Sequence, residues 1–304
     1  METKMNDPIL EVSNLTVRYG RTTAVDGVTL NVQRGAVYAL LGRNGAGKSS
    51  LIRCLLGQRK ADGGQLRLFG DDAWRRRAAL MQRVGVVSEE ADAPPEMSVG
   101  ALARFCRSLY ARWDQEAFEA RMRVFGIPLI SRFGALSKGQ KKQVSLALAL
   151  AMSPDLIVLD DPTLGLDVVA RKSLFEEVIG ELADRGITVF VTTHDLGGVE
   201  TFADRVGILQ RGRLVLDEDA DALKSRFRRI RFTAKPVALE AGGLAATAMR
   251  SWGSGAEAIV SNYDDIAFER FRTNSGVNAA DVAPMTLEEI FVAVAGENAS
   301  GGDN

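Results

Sequence analysis

The stretch "GRNGAGKSS", Gly42 to Ser50, limits what this chain can fold into more than any other part of it. It satisfies the spacing G-x-x-x-x-G-K-S/T, with apolar "AVYALL" before it and "LIRCLL" after it. A glycine-rich backbone can wrap closely round an anion, so that successive N–H groups point inward. The helix expected from Gly47 to about Leu56 adds the positive end of its dipole. In such a strand–loop–helix unit Gly42, Arg43, Asn44, Gly45, Ala46 and Gly47 cradle a phosphate chain and Lys48 reaches its outer phosphates. The Ser49 hydroxyl is placed to coordinate Mg²⁺, with Ser50 beside it.

A phosphate loop needs a metal-holding carboxylate on a neighbouring strand. The run "DLIVLDDPTLGLD" supplies one: Asp160 ends an apolar strand, at the carboxyl edge where α/β sheets place ligands. Asp161 follows directly, which raises the question of why two aspartates stand together. "DLIVLD", "TVFVTTH", "RVGILQ" and "RLVLDE" read as buried strands separated by helices, which predicts parallel α/β architecture. Residues 9–40 read as β-rich with glycine turns, and "QLRLFG" and "VGVVS" as further short strands. Helical periodicity runs from Ser98 to about Phe125, and "LSKGQKKQVSLALALAM" reads as a loop feeding an apolar helix.

Beyond about Asp217 the composition changes to charged "DEDADALKSRFRRIRF" and then to a weaker Ala- and Gly-rich pattern. There "AEAIVS" and "DIAFERFR" read as strands and "TLEEIFVAVAG" as a helix opened by Thr286. The end, "ENASGGDN", is expected to be disordered. Net charge is -1, so no global basic field points to nucleic acid or an anionic membrane. Arg226 to Arg231, "RFRRIR", reads as a solvated domain junction rather than a nucleic-acid patch. Cys54 and Cys106 lie in apolar helical stretches, as reduced cytosolic thiols do. No signal peptide or uninterrupted run of roughly 18 apolar residues is seen, so a soluble chain is expected.

With "LSKGQKKQ" just upstream of the Asp160 strand, these pieces resemble the nucleotide-binding subunits of ATP-binding-cassette (ABC) transporters. The family's L-S-G-G-Q signature, Walker B strand and D-loop match Leu136–Gln140, Asp160 and "PTLGLD" ending at Asp167. His194, the one histidine, falls at the switch histidine, and Tyr19 matches the aromatic that stacks on adenine, with Val25 in the same nucleotide set. The resemblance covers about residues 8–217. It implies a P-loop NTPase (RecA-like) core with an antiparallel β-subdomain and a helical signature subdomain at about 89–150. A small α+β accessory region, 218–304, would follow.

The resemblance further implies ATP and Mg²⁺ as cofactors and a head-to-tail homodimer, or a pair with a related subunit, that sandwiches two ATP molecules. Each site would combine the phosphate loop of one subunit with Ser137, Gly139 and Gln140 of the other. Lys48, Asp161 and His194 would be catalytic; Ser49, Asp160 and Glu89 would hold the metal. A separately encoded membrane permease is the implied partner, with the chain peripheral on the inner face of the cell membrane. The tail "PMTLEEIFVAVAGE" is similar to that of drug- and lipid-type exporters. The rivals are a slow-hydrolysing regulatory ATPase and a soluble cassette protein outside transport.

Three positions depart from the family pattern. Asp161 stands where a glutamate usually polarises the attacking water; one methylene withdraws the carboxylate by about 1 Å, a shift that can cost on the order of 100-fold. Either the backbone or a bridging water compensates, or turnover is slow. Glu89 stands for the Q-loop glutamine, with Glu90 an adjacent register. Lys138 replaces the first signature glycine, and the "KKQ" that follows Gln140 reads as a solvated helix face that also meets ATP.

Overall fold

The computed structural model describes residues 7–193, 198–233, 239, 243–253, 255–275 and 280–296. They form two compact units, Met1–Asp217 and Glu218–Asn304.

In the first unit an antiparallel sheet, order β2-β1-β4-β5, combines β1 (Leu10–Tyr19), β2 (Thr22–Val32), β4 (Gly63–Leu68) and β5 (Asp71–Asp72). β1 alternates buried and exposed residues, as a strand with one face on the core must. The second sheet, order β10-β9-β3-β8-β7-β6, holds β3 (Val37–Leu41), β6 (Val84–Val87), β7 (Leu156–Asp160), β8 (Thr188–Thr193), β9 (Arg205–Gln210) and β10 (Arg213–Asp219). Its ladders from β9 through β3, β8 and β7 to β6 are parallel. All of β3 and β8 is buried, which explains their unbroken apolar and threonine runs: a parallel sheet covered on both faces leaves no solvent side. Tyr38 and Phe190 stack at 5.6 Å within this layer.

Around the sheets lie α1 (Lys48–Leu55), the short α2 (Arg77–Leu80) and α6 (Val168–Arg185). A separate core gathers α3 (Val99–Leu109), α4 (Gln115–Val124) and α5 (Lys138–Ala151) around Phe118, Met122, Val144 and Ala147. The periodic stretch Ser98–Phe125 is therefore two helices. Tyr110 ends α3, and Asp114 starts α4 by accepting from the Ala117 N–H at 2.9 Å. The strands "RVGILQ" and "RLVLDE" are not separated by a helix either. Arg211 and Gly212 both have positive φ (48° and 82°), the pattern of a two-residue hairpin turn.

The second unit holds α7 (Ala220–Arg226) and an antiparallel sheet, order β12-β13-β11-β14, of β11 (Arg228–Phe232), β12 (Ala246–Trp252), β13 (Gly255–Val260) and β14 (Ala280–Pro284). Its helices are α8 (Asp265–Ser275) and α9 (Leu287–Gly296). "DIAFERFR" is thus helical, not a strand: Asp264 caps it through the Ile266 N–H at 2.6 Å, and Phe268 and Phe271, one turn apart, both face the core. Phe232 meets Phe271 edge-on at 5.2 Å. α9 opens as expected at Thr286, with Glu289 completing a capping box. Three of the four arginines of "RFRRIR" are engaged by carboxylates of their own unit, Arg226 with Glu218, Arg229 with Glu289 and Arg231 with Glu257, while Arg228 donates to the Phe227 carbonyl at 2.9 Å. The final stretch 297–304 lies outside the described residues.

Phe118 is fully buried against Trp113 in the helical core. Phe118→Ala is expected to remove about 3–5 kcal/mol of stability, read as a lower urea midpoint for the full chain.

Candidate nucleotide site

β3 ends at Leu41 and α1 begins at Lys48, so the intervening glycine loop sits at the carboxyl edge of the parallel sheet. Register carries the carboxylates to the same edge: Thr192 of β8 pairs with Leu40 on one side and with Asp160 on the other. Gly45 and Gly47 take positive φ (80° and 112°). A Cβ at Gly47 would lie 2.3 Å from the Ala24 carbonyl oxygen, so glycine is required there on both counts. The Lys48 ammonium folds back to donate to the Gly42 carbonyl at 2.7 Å, and it lies 3.6 Å from an Asp161 carboxylate oxygen. Lys48 and Asp161 are each 6% exposed.

A cavity of about 360 Å³ opens here. Arg43 to Ser50 line it from the phosphate loop, with Tyr19 and Ala24 from the antiparallel sheet, Glu89 from the loop after β6, and Asp161. Tyr19 is 40% exposed, with the Arg59 guanidinium stacked on its ring at 4.3 Å. A hydrogen bond to Ser50 is the main influence that lowers its phenol pKa. Val25 is fully buried in the core of its sheet, and it is its neighbour Ala24 that reaches the cavity, as strand alternation dictates. Glu89 lines the cavity and Glu90 does not. Ser137, Gly139 and Gln140 do not line it either; they form the first turn of α5. The Ser137 hydroxyl accepts from the Gln140 N–H at 3.2 Å, and the Gln140 side chain accepts from the Ser137 N–H at 3.0 Å. His194 lies outside the described residues.

The two aspartates differ in setting. Asp160 accepts from the Thr192 hydroxyl at 2.7 Å. Burial raises its carboxyl pKa; that hydrogen bond opposes the rise and the Asp161 charge adds to it. Asp161 has a left-handed backbone (φ 41°), held by its N–H donating to the Thr192 carbonyl at 2.9 Å. That twist leaves the extended line of β7 and returns the Asp161 side chain to the phosphate loop.

Sequence similarity bears on the same residues. The profile of the ABC transporter family matches residues 25–164. The bacitracin transport ATP-binding protein BcrA of Bacillus licheniformis is 31% identical over 223 residues, 73% of this chain and 73% of that one. The chain belongs to the ABC transporter family, as an ATP-binding subunit. The daunorubicin/doxorubicin resistance ATP-binding protein DrrA of Streptomyces peucetius is 30% identical across 95% of this chain and 93% of its own length. A solved ATP-binding subunit of an ABC transporter superposes with a TM-score of 0.66 at 28% identity, covering 71% of this chain and 92% of that one. The expected P-loop core with its antiparallel and helical subdomains is therefore the fold of this ABC subunit. Such domains bind and hydrolyse ATP.

Two contributors escaped the sequence. Thr192 looked like one more β-former, and only the register shows it holding both aspartates. Lys142 sits in the "KKQ" run read as a solvated face, yet it is 3% exposed. Its ammonium donates to the Ser88 carbonyl at 2.6 Å. Burial lowers its pKa, and Asp160, Glu89, Asp161 and Glu90 pull it back up. Helical spacing carried the signal, since positions 142, 146 and 150 share one face and all are buried.

The cradle at Gly47 tolerates no side chain. Gly47→Ala is expected to weaken binding of a fluorescent ATP analogue by at least about tenfold, from the left-handed backbone cost alone. The far-UV circular dichroism should stay unchanged.

Proposed function

We propose that this ABC subunit powers export through a separate membrane permease, with ATP hydrolysed between two copies arranged head to tail. The observation that carries the catalytic part is the convergence of Lys48 and Asp161, 3.6 Å apart and both buried, at the mouth of the glycine loop. The residues present fit the nucleotide: the left-handed backbone at Gly45 and Gly47 belongs to a loop whose residues Arg43 to Ser50 line one cavity, which suits a phosphate chain. They also fit Mg²⁺, because the Ser49 hydroxyl and the Asp160 and Glu89 carboxylates are hard oxygen donors few enough to leave positions for phosphate oxygens. Held there, Mg²⁺ would offset charge on the phosphate oxygens.

In this reading Lys48 exchanges its hold on the Gly42 carbonyl for the phosphates, and the release frees Asp161 to face the attacking water. Asp161 takes or orients that water's proton; its positive φ brings a carboxylate one methylene shorter than glutamate toward the loop. Thr192 fixes the Asp160 carboxylate and the Asp161 backbone, so that the pair keeps its place at the sheet edge while the Asp161 side chain turns to the water. Tyr19 offers its exposed ring to the base, and Ser137, Gly139 and Gln140 serve the site of the partner copy. His194 completes the phosphate sensor.

Export is supported by the resistance named for the Streptomyces relative, which matches nearly the whole of both chains. No helix among the described residues is long and apolar enough to cross a membrane, in keeping with a separate permease that would hold this chain on the inner face of the membrane. Slow turnover is the second reading, favoured by the short Asp161 side chain and its pairing with Lys48.

Asp161→Asn is expected to lower single-turnover ATP hydrolysis by about 100-fold or more, the usual worth of a positioned general base. ATP binding should be retained, at wild-type affinity or tighter, because the substitution removes a negative charge beside the phosphates. Asp161→Glu should equal or exceed wild type if reach limits the rate. Equal hydrolysis by Asp161→Asn and wild type would remove Asp161 from the chemistry.

A further inference from the structure

Among the described residues two lysines are buried, Lys48 and Lys142. Lys48 belongs to the phosphate loop. Lys142 comes from a different element, α5, in the turn after the one that carries Ser137, Gly139 and Gln140. Its ammonium ends on the carbonyl of Ser88, the residue before Glu89, at 2.6 Å. Asp160, Glu89, Asp161 and Glu90 are the carboxylates that act on it.

Withdrawing an ammonium from water costs heavily unless other groups compensate, and a single carbonyl does not replace its hydration. The compensation here is charge. The proposed site sets three carboxylates, Asp160, Asp161 and Glu89, against two cations of the phosphate loop, Lys48 and Arg43. Burial raises the Asp160 carboxyl and the Asp161 charge adds to the rise, while Lys48 and Lys142 oppose it. With three carboxylates against two cations, a polyanionic phosphate chain would enter a more favourable field if a further cation acted on the carboxylates.

Resting on the nucleotide-site reading above, we propose that Lys142 is a fixed counter-charge of that site. It holds the Glu89 loop through the Ser88 carbonyl and offsets the three carboxylates so that an anionic triphosphate is accepted. Lys142 is a positioning residue: it acts through the Glu89 loop and through its field. It also joins the helix that opens with Ser137 to the loop that carries Glu89, so these two parts move as one.

A counter-charge has a signature that packing lacks. Its loss weakens an anion and strengthens a cation at the same place, whereas a misfolded site loses both. The test uses the full-length chain with Lys142→Met and Lys142→Gln, two neutral side chains of similar length, so that a folding defect peculiar to one does not end the experiment. A fluorescent ATP analogue titrated in EDTA is expected to bind about tenfold more weakly to both variants, as loss of one nearby charge in a partly buried site predicts. Mn²⁺ titrated into the ATP-saturated variants is expected to half-saturate at about tenfold lower concentration than in wild type. Lys142→Arg, which keeps the charge, should stay near wild type in both measurements. Both affinities falling together, or either one failing to move, would overturn the proposal. Wild type that binds no ATP would instead remove the nucleotide reading and this inference with it.

Discussion

The parallel register through β8 is the constraint on which the rest of this molecule depends. Thr192 pairs with Leu40 and with Asp160, so one backbone position sets the height of the glycine loop on one flank and of the acidic pair on the other. Its hydroxyl and its carbonyl then take one aspartate each. A slip of one residue in that strand would turn every side chain to the opposite face and separate loop from carboxylates. The complete burial of β8 makes such a slip prohibitively costly. The geometry of the site and core packing are therefore the same requirement seen from two ends.

Much of this was legible in the residues themselves. The glycine spacing fixed the loop, and continuous apolar runs identified strands with two covered faces. What stayed hidden had a physical reason each time. Arg211 and Gly212 adopt φ values that an arginine rarely takes, so nothing in "QRGR" separated a tight hairpin from the start of a helix. In "DIAFERFR" the aromatics and isoleucine favour a strand locally. Burial of Phe268 and Phe271, one helical turn apart, decided otherwise. Lys142 looked solvated because lysine almost always is, and its hydrogen-bond partner Ser88 lies 54 residues away in sequence.

The opening question, why two aspartates stand side by side, has an answer in backbone conformation. Asp160 keeps the strand direction and shares the threonine hydroxyl, while Asp161 turns into the left-handed region and meets the phosphate-loop lysine. Adjacent residues on a strand point to opposite faces, so two neighbouring carboxylates can serve one site only if the chain breaks its extended course between them. The bend at Asp161 is that break.

The capping box that opens α5 has a consequence for how two copies would meet. Ser137 and Gln140 already satisfy each other's backbone groups. Any phosphate they contact on a neighbouring molecule must compete with bonds the helix makes by itself. Docking is then an exchange of partners rather than the filling of an unmet need, and its net gain per bond is small. Were such a phosphate to leave, the helix end would fall back on its own cap with no donor stranded. A joint built in this way would be intrinsically reversible, able to open without leaving a backbone donor unpaired.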